Sequence, residues 1–481
     1  MENYNLGIAG KHSHPIHFRI KKFFLYPHNI EFSTETPEPG EKQDAPGKEE
    51  SKKAANILDI VDTFSFSESI SQPTIFGEVN IVDGINVLEN FKISGGEKVE
   101  IELLQDLKSE LKEIKLELYI AAIQAYSKPS IGAQSYKLSL ATKEHYLNSL
   151  TKINHEFNDV PTSIIANVVD RLGQEVNIEG GGSTPMKGIF PKLRPFDAIN
   201  WILRNSHDTQ TPMFFYQDHK DGYQLKSYQS ILDKTNSVGS QVKEKITGDT
   251  SAGVYSEYSN NPYGLELTNQ DPDYYEINRK KILSFTVDNF TNKISQSRKG
   301  AYSSRLWYVD IAKKYYSPVI DFTYEESNTL NEYKPFSTIE SEGINDYNND
   351  DYKHSREYFV NVNSSLYGSA DNYHTSSPEN IQKTISSYQN LFEMRSNIVI
   401  AGDPNMVPGL IIDLKLFKNQ PEDLKTSDAF ADNAFFGGKY LVESITHSFS
   451  NDGYYMNVGI LKDSYKIDLD EKVKLWGKMI L

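Results

Sequence analysis

Residues 397–458 alternate between apolar and polar side chains, and residues that favour tight turns interrupt the alternation. The alternating stretches cover 397–401, 410–416, 437–449 and 454–458. Gly-Asp-Pro, Gly-Gly and Asn-Asp-Gly separate them. Because alternation with a period of two places every second side chain on one face, this pattern predicts antiparallel strands joined by hairpins.

The N-terminal part of the chain repeats this period. Strands are predicted within 16–32 and at 74–81, 98–103, 114–120 and 136–140. Residues 104–112 fit a helix or a strand equally well. Since no helix separates most of these strands, the pattern favours a barrel or a sandwich.

The central part of the chain has a different period. Helical spacing of apolar residues predicts helices over 145–157, 161–173 and 196–203. A hairpin with an Asp-Gly turn is predicted to follow at 213–225. Residues 139–274 are therefore predicted to form an α+β domain.

Strands are predicted again at 282–287 and 306–311, and the polar residues after them end in a helix that begins near 377–379. The chain is therefore predicted to be a β-rich multidomain (α+β) protein with two antiparallel β-barrels. The predicted divisions are a first barrel at 1–138 with a mobile loop at 33–55, a middle domain at 139–274, a second barrel at 275–324 and 396–466, an insertion at 325–395 and a C-terminal tail at 467–481.

Composition excludes several classes of function. The chain has no cysteine, which excludes disulfides and thiolate metal sites. A net charge of −16 argues against a surface that grips nucleic-acid phosphates. The acidic charge either lines a channel that repels DNA or merely aids solubility. No apolar run is long enough to span a membrane, and the N-terminus lacks the pattern of a secretory signal.

The order of these segments resembles a known family. Residues 74–103, with Gly-Gly-Glu before the charged strand, are similar to the first tube domain of the central baseplate hub proteins of contractile-tailed phages. Residues 193–202 with the hairpin strand 214–216 resemble the middle domain of that family, and 300–311 with 399–461 resemble its second tube domain. The hub part of type VI secretion spike proteins is related to the same family.

The resemblance implies a structural protein rather than an enzyme. It implies two tube-like barrels per chain and a homotrimer, so that a pseudo-sixfold ring joins a sixfold tail tube to a threefold central spike. The implied partners are the spike, tail tube or tube-initiator proteins and baseplate wedge proteins, with DNA passing through the lumen. The implied location is the phage tail baseplate of the virion, after assembly in the host cytoplasm. The candidate interface residues are Val99, Ile101, Leu103, Gly402, Lys439 and Tyr440.

No catalytic, cofactor or metal site is predicted. His12, His14 and His17 lack an accompanying cluster of carboxylates, and the Gly-rich loop at 180–184 lacks the lysine of a phosphate-binding loop. The acidic run at 346–351 lacks the spacing of a calcium loop. His447 lies on an apolar strand face and is interpreted as a partly buried structural histidine.

Two other functions remain open on the sequence alone. The chain fits the hub of a secretion or tailocin particle that delivers proteins instead of DNA, and neighbouring genes would distinguish the two. A tail-associated enzyme that cleaves peptidoglycan or carbohydrate is the other alternative. It requires a cleft with a carboxylate pair, and the pair of Asp271 and Asp273 is the kind of acidic pair that such an enzyme uses.

Overall fold

The structure is a computed structural model of the 481-residue chain. It describes residues 16–28, 54–107, 110–130, 132–183, 185–206, 210–233, 257–260, 279–290, 292–311, 314–324, 329–334, 339–341, 344–347, 354–361, 379–416 and 433–467. Most of the predicted loop at 33–55, His12, His14, Asp271, Asp273, most of the acidic run 346–351 and the tail after 467 lie outside these residues.

Thirteen of the described strands form one sheet. Its first half contains β1 (Arg19–Tyr26), β2 (Ala55–Asn56), β3 (Val61–Ser69), β4 (Phe76–Asp83), β5 (Lys98–Leu107), β6 (Glu110–Ser130) and β7 (Ala133–Ala141). A 3-10 turn (Leu58–Ile60) and the short helix α1 (Val87–Asn90) connect some of these strands. The ambiguous segment 104–112 is thus strand wherever it is described.

The strands of the second half come from later in the chain. Their bounds are β13 (Glu257–Asn260), β14 (Ile282–Phe290), β21 (Met394–Ala401), β22 (Ile411–Leu416), β23 (Gly438–Ser450) and β24 (Gly453–Lys462). The hydrogen-bonded order is β14-β21-β24-β23-β3-β4-β7-β6-β5-β1-β2, with β22 beside β23 and β13 beside β22.

The two halves of the sheet are hydrogen-bonded to each other through β3 and β23. These strands are antiparallel, with Phe449 opposite Phe64 and His447 opposite Phe66. Val79, Ile101, Ile445 and Val458 are among the side chains of both halves that pack into one apolar core. The β-rich multidomain class with large antiparallel sheets is thereby confirmed, and strands from both predicted barrels lie in one continuous sheet.

The middle part of the chain has its own apolar core. Its elements are α2 (Lys143–Leu150), β8 (Glu156–Asp159), α3 (Pro161–Asp170), β9 (Val176–Glu179), β10 (Met186–Ile189), α4 (Pro195–Asn205), β11 (Met213–Asp218) and β12 (Gly222–Ser227). The predicted helices at 161 and 196 and the hairpin are confirmed. The helix predicted over 145–157 is wrong in its second half, because Ile153 bridges to Leu193 and Phe157 pairs with Gly188 in an antiparallel ladder.

A separate four-stranded sheet combines residues from both sides of the predicted insertion boundary. It contains β15 (Ser303–Asp310), β16 (Tyr315–Tyr316), β17 (Ile320–Thr323) and β20 (Glu357–Asn361). Further elements are a helical segment at 228–233, α5 (Lys293–Arg298), the hairpin strands β18 (Ile339–Ser341) and β19 (Ile344–Tyr347), and α6 (Glu379–Asn390). The boundaries of the predicted domains stay a prediction. None of the described helices is long and apolar enough to span a membrane.

Candidate functional site

The middle part of the chain packs against the large sheet through one hairpin. Phe214 and Tyr216 of β11 are buried against Ile411 and Leu441 of the sheet, whereas the intervening Phe215 faces the core of the middle part. The Tyr216 hydroxyl also donates a hydrogen bond to the Pro408 carbonyl (3.1 Å). Because successive side chains of β11 point to opposite sides, this strand packs into both apolar cores. This packing fixes the position of the hairpin tip.

That hairpin tip inserts a histidine into a buried cluster of three titratable residues. His219 Nδ1 lies 3.1 Å from Glu68 Oε1, and His447 Nε2 lies 3.3 Å from the same oxygen. The side chains of Glu68 and His447 are fully buried and that of His219 is 3% exposed. Glu68 lies on β3 and His447 on β23, so the cluster joins the hairpin to both halves of the sheet.

Local structure explains how each side chain reaches this point. Glu68 continues the buried face of β3 that carries Phe64 and Phe66. The His447 ring stacks on Phe66 at a centroid distance of 4.2 Å. His219 follows Asp218, whose carboxylate accepts hydrogen bonds from two backbone amides of the turn and so fixes its shape.

Further hydrogen bonds satisfy the outer atoms of the cluster. The His219 amide donates to Glu68 Oε2 (3.0 Å), and His219 Nε2 lies 2.9 Å from the Pro404 carbonyl oxygen. His447 Nδ1 lies 2.7 Å from the Tyr454 hydroxyl. A carbonyl oxygen can only accept, so His219 Nε2 carries a proton.

Electrostatics favour an ion pair between Glu68 and His219. Burial alone would raise the pKa of Glu68, but the charge of His219 and hydrogen bonds from both imidazoles outweigh it and lower that pKa to about 2. Burial likewise opposes a charge on His219, yet the Glu68 carboxylate raises the pKa of His219 above its usual value. Burial lowers the pKa of His447, which is therefore the neutral member of the cluster.

Sequence reasoning missed two of these three residues. The sequence predicts a partly buried structural histidine at His447, whereas the structure buries its side chain completely. Glu68 and His219 were not singled out. The available signal was the acidic Glu68 on an otherwise apolar strand face, because a buried carboxylate needs a partner.

The predicted interface residues lie mostly inside the chain. Val99, Ile101, Leu103 and Tyr440 are at most 2% exposed and belong to the apolar core. The opposite face of β5 carries Glu100 and Glu102, both ion-paired with Lys22. An interface role for this strand stays a prediction, and it would have to use the charged face or the backbone.

Gly402 and Lys439 also lie in structured surroundings. Gly402 precedes the loop that supplies the Pro404 carbonyl, and its own carbonyl accepts a hydrogen bond from Gln105 Nε2 (2.9 Å). The Lys439 amide donates to the Asn331 side chain (2.9 Å), and the Lys439 side chain is partly exposed. Their predicted interface role is not tested by these contacts.

Lys462, next to Tyr440, is a buried lysine. Its ammonium donates to the carbonyls of Phe435 (2.9 Å) and Gly437 (2.7 Å), and it lies 5.2 Å from the centroids of the Tyr440 and Tyr465 rings. Burial, reinforced by the charge of Lys466, lowers the pKa of Lys462 to about 7. The neutral amine is therefore favoured in the folded chain relative to the unfolded one.

We expect Lys462 to make stability rise with pH above neutrality. Because the unfolded chain holds this proton more tightly, the free energy of unfolding of the wild type should gain about 2 kcal/mol between pH 7 and 9 relative to a Lys462→Met variant, since Lys462 with a pKa of about 7 is already half deprotonated at pH 7 in the folded chain. Urea unfolding at several pH values measures this difference. The control variant Lys128→Met, at an exposed position, should show the same pH dependence of the free energy of unfolding as the wild type. If Lys462→Met also showed the wild-type pH dependence, the lowered pKa of Lys462 would be contradicted.

The chain is thus β-rich, and its α+β middle part packs against one large sheet. The buried cluster of Glu68, His219 and His447 lies where the two meet. No protein-family model matches the chain, and no curated protein matches its sequence. Solved structures with a similar fold include a tail protein from Neisseria meningitidis, at 11% identity and a TM-score of 0.44, covering 85% of this chain and 94% of that one.

Two further structures with a similar fold are a prophage tail protein and a component of the type VI secretion system. A 43 kDa prophage tail protein from Shewanella oneidensis has 10% identity and a TM-score of 0.42, covering 86% of this chain and 97% of that one. An E. coli component of the type VI secretion system has 9% identity and a TM-score of 0.37, covering 84% and 73%. These are the classes that the sequence resemblance named. Likeness at this level carries no argument about function.

Proposed function

We propose that the chain is the structural, non-enzymatic central hub subunit of a phage tail baseplate. It forms a homotrimeric ring that joins the sixfold tail tube to the threefold central spike and leaves a lumen for DNA. The observation that carries this proposal is an exposed sheet edge: within the part of the chain that the structure describes, β14 ends the thirteen-stranded sheet and pairs only with β21.

The side chains of β14 support a partner at this edge. Leu283 is 50% exposed and Phe290 is 47% exposed. An edge strand with unpaired backbone groups and exposed apolar side chains favours pairing with another chain, and soluble monomers usually protect such edges. A second copy of the chain is the partner that closes a ring by cyclic, head-to-tail contacts.

The organisation of the sheet supports the pseudo-sixfold symmetry. Among the described strands, seven of the thirteen come from the first half and six from the second. Each chain therefore offers two segments of similar size, both largely antiparallel although β13 and β22 pair in parallel, and three chains offer six. Six comparable segments fit a sixfold tube on one side, while three whole chains fit a trimeric spike on the other.

We expect Leu283→Lys combined with Phe290→Lys to convert the trimer to a monomer. The lysines place charge on the edge where the next subunit packs. Both positions are about half exposed, but Phe290 also packs against Phe435 and Phe436, so circular dichroism and the melting temperature are measured to show that the monomer stays folded. Light scattering would then report about 55 kDa per particle instead of about 164 kDa, three times the 54.7 kDa of one chain.

Leu150→Lys is the matched control for this experiment. Leu150 is 82% exposed at the end of α2 in the middle part, away from β14. This variant should stay trimeric. A trimer that survives the double substitution on β14 would show that another surface makes the contact and would remove the main support of the proposal.

A further inference from the structure

The buried cluster of Glu68, His219 and His447 has the geometry of a metal site. Its three donor atoms, a carboxylate oxygen and one nitrogen of each imidazole, all lie within 4.8 Å of one another. The oxygen is 3.1 and 3.3 Å from the two nitrogens. Ligand atoms placed tetrahedrally at about 2.0–2.1 Å from Zn²⁺ lie about 3.3 Å apart. Two of the three separations therefore match those of tetrahedral zinc ligands, and the third, between the two nitrogens, is at most 4.8 Å.

The far nitrogen of each imidazole is already held. His219 Nε2 donates to the Pro404 carbonyl, and His447 Nδ1 is hydrogen-bonded to the Tyr454 hydroxyl. Histidines that bind metals commonly donate their second ring N–H to such an oxygen, which fixes the ring and leaves the other nitrogen free to coordinate. His219 shows that arrangement. His447 reaches it when its single proton lies on Nδ1 and is donated to the Tyr454 hydroxyl, which leaves Nε2 free to coordinate.

The positions of the protons on His219 also allow a metal ion to bind. The Pro404 carbonyl fixes a proton on His219 Nε2, so Nδ1 faces Glu68 either with a second proton or, once deprotonated, as a ligand. A divalent cation can take the place of that second proton and bind the carboxylate and both near nitrogens. The second oxygen of Glu68 keeps its hydrogen bond from the His219 amide.

We propose that Glu68, His219 and His447 bind one Zn²⁺ per chain as a structural ion. Two imidazoles and one carboxylate are a common zinc ligand set. Three protein ligands leave the fourth position of a tetrahedral zinc ion to a water molecule. The ion links the hairpin of the middle part to β3 and β23. This site does not depend on the proposed ring.

The first test uses the full-length chain. It is stripped with a chelator, dialysed against Zn²⁺ and analysed for metal content by atomic emission. We expect one zinc per chain, a higher melting temperature with zinc, and the absorption spectrum of a four-coordinate site when Co²⁺ replaces zinc. A chain that retains no stoichiometric zinc, or whose Co²⁺ spectrum is that of the hydrated ion, would overturn the proposal.

Variants then locate the ion. His219→Gln and His447→Gln should each abolish stoichiometric zinc. Tyr454→Phe keeps the shape of the side chain and removes only the partner of His447 Nδ1, so it should stay folded and bind zinc about 10–100-fold more weakly. Tyr454 acts here as a positioning residue.

The matched control is the double variant His12→Ala and His14→Ala, which removes the other histidine pair that could collect zinc. It should bind zinc as the wild type does. Zinc that disappears in this double variant, or that binds Tyr454→Phe with unchanged affinity, would assign the ion elsewhere. Because Tyr454→Phe and the wild-type Co²⁺ spectrum need no ligand to be removed, the outcome does not depend on the folding of the His→Gln variants.

Discussion

Replacing Glu68 by leucine is expected to lower the free energy of unfolding by about 3–5 kcal/mol in metal-free buffer. The substitution leaves the charge of His219 buried without its partner, and it removes the acceptor of the His219 amide and of both imidazoles. Glu68→Gln should cost less, because the amide oxygen still accepts a hydrogen bond. Urea unfolding followed by circular dichroism measures both values.

Glu78→Gln is the matched control for Glu68. Glu78 lies on the neighbouring strand β4, and its side chain is 52% exposed while it forms a 2.6 Å ion pair with Lys137. Exposed ion pairs contribute about 0–1 kcal/mol, so this variant should change stability by less than that. Equal losses at Glu68 and Glu78 would contradict the view that the buried cluster holds the hairpin against the sheet.

Replacing Gly402 by alanine is expected to cost about 3 kcal/mol, the upper part of the usual range for overpacking. A Cβ atom at this position would lie 2.0–2.3 Å from three ring carbons of Tyr454, whose side chain is fully buried. The ring cannot move away freely, since it stacks on Phe449 at 4.3 Å and its hydroxyl bonds His447. The backbone at Gly402 must therefore shift, and with it the loop that supplies the Pro404 carbonyl.

Gly132→Ala serves as the control for this effect. A Cβ atom at Gly132 meets no atom within 4 Å, so stability should change by about 0.5 kcal/mol or less. The readout is the midpoint of thermal unfolding at equal protein concentration. If Gly402→Ala unfolded at the same temperature as Gly132→Ala, the close contact between Gly402 and Tyr454 would be wrong.

Most strands could be predicted because alternation reports directly on one buried face. The C-terminal hairpin is an example: the Asn-Asp-Gly turn and the alternation of Ile445, His447 and Phe449 place β23 and β24 almost as the structure has them. The helix predicted to reach Phe157 failed for a specific reason. Tertiary pairing of Phe157 with Gly188 overrides a helical spacing of apolar residues that is short and weak.

The cluster and the continuity of the sheet could not be predicted from local pattern. The ion pair joins Glu68 and His219, which are 151 positions apart, and His447 is 379 positions from Glu68. Periodicity describes the face of one strand and says nothing about which strand lies beside it. For the same reason, the alternation at 306–311 does not predict that β15 pairs with β20 in a separate four-stranded sheet.

The central claim is that three copies of this chain close into a ring. The most direct measurement is the mass of the purified wild-type chain by light scattering, alone and mixed with its candidate spike protein. We expect about 164 kDa, three times 54.7 kDa, and a complex with a trimeric spike. A chain that stays at about 55 kDa in both samples would contradict it.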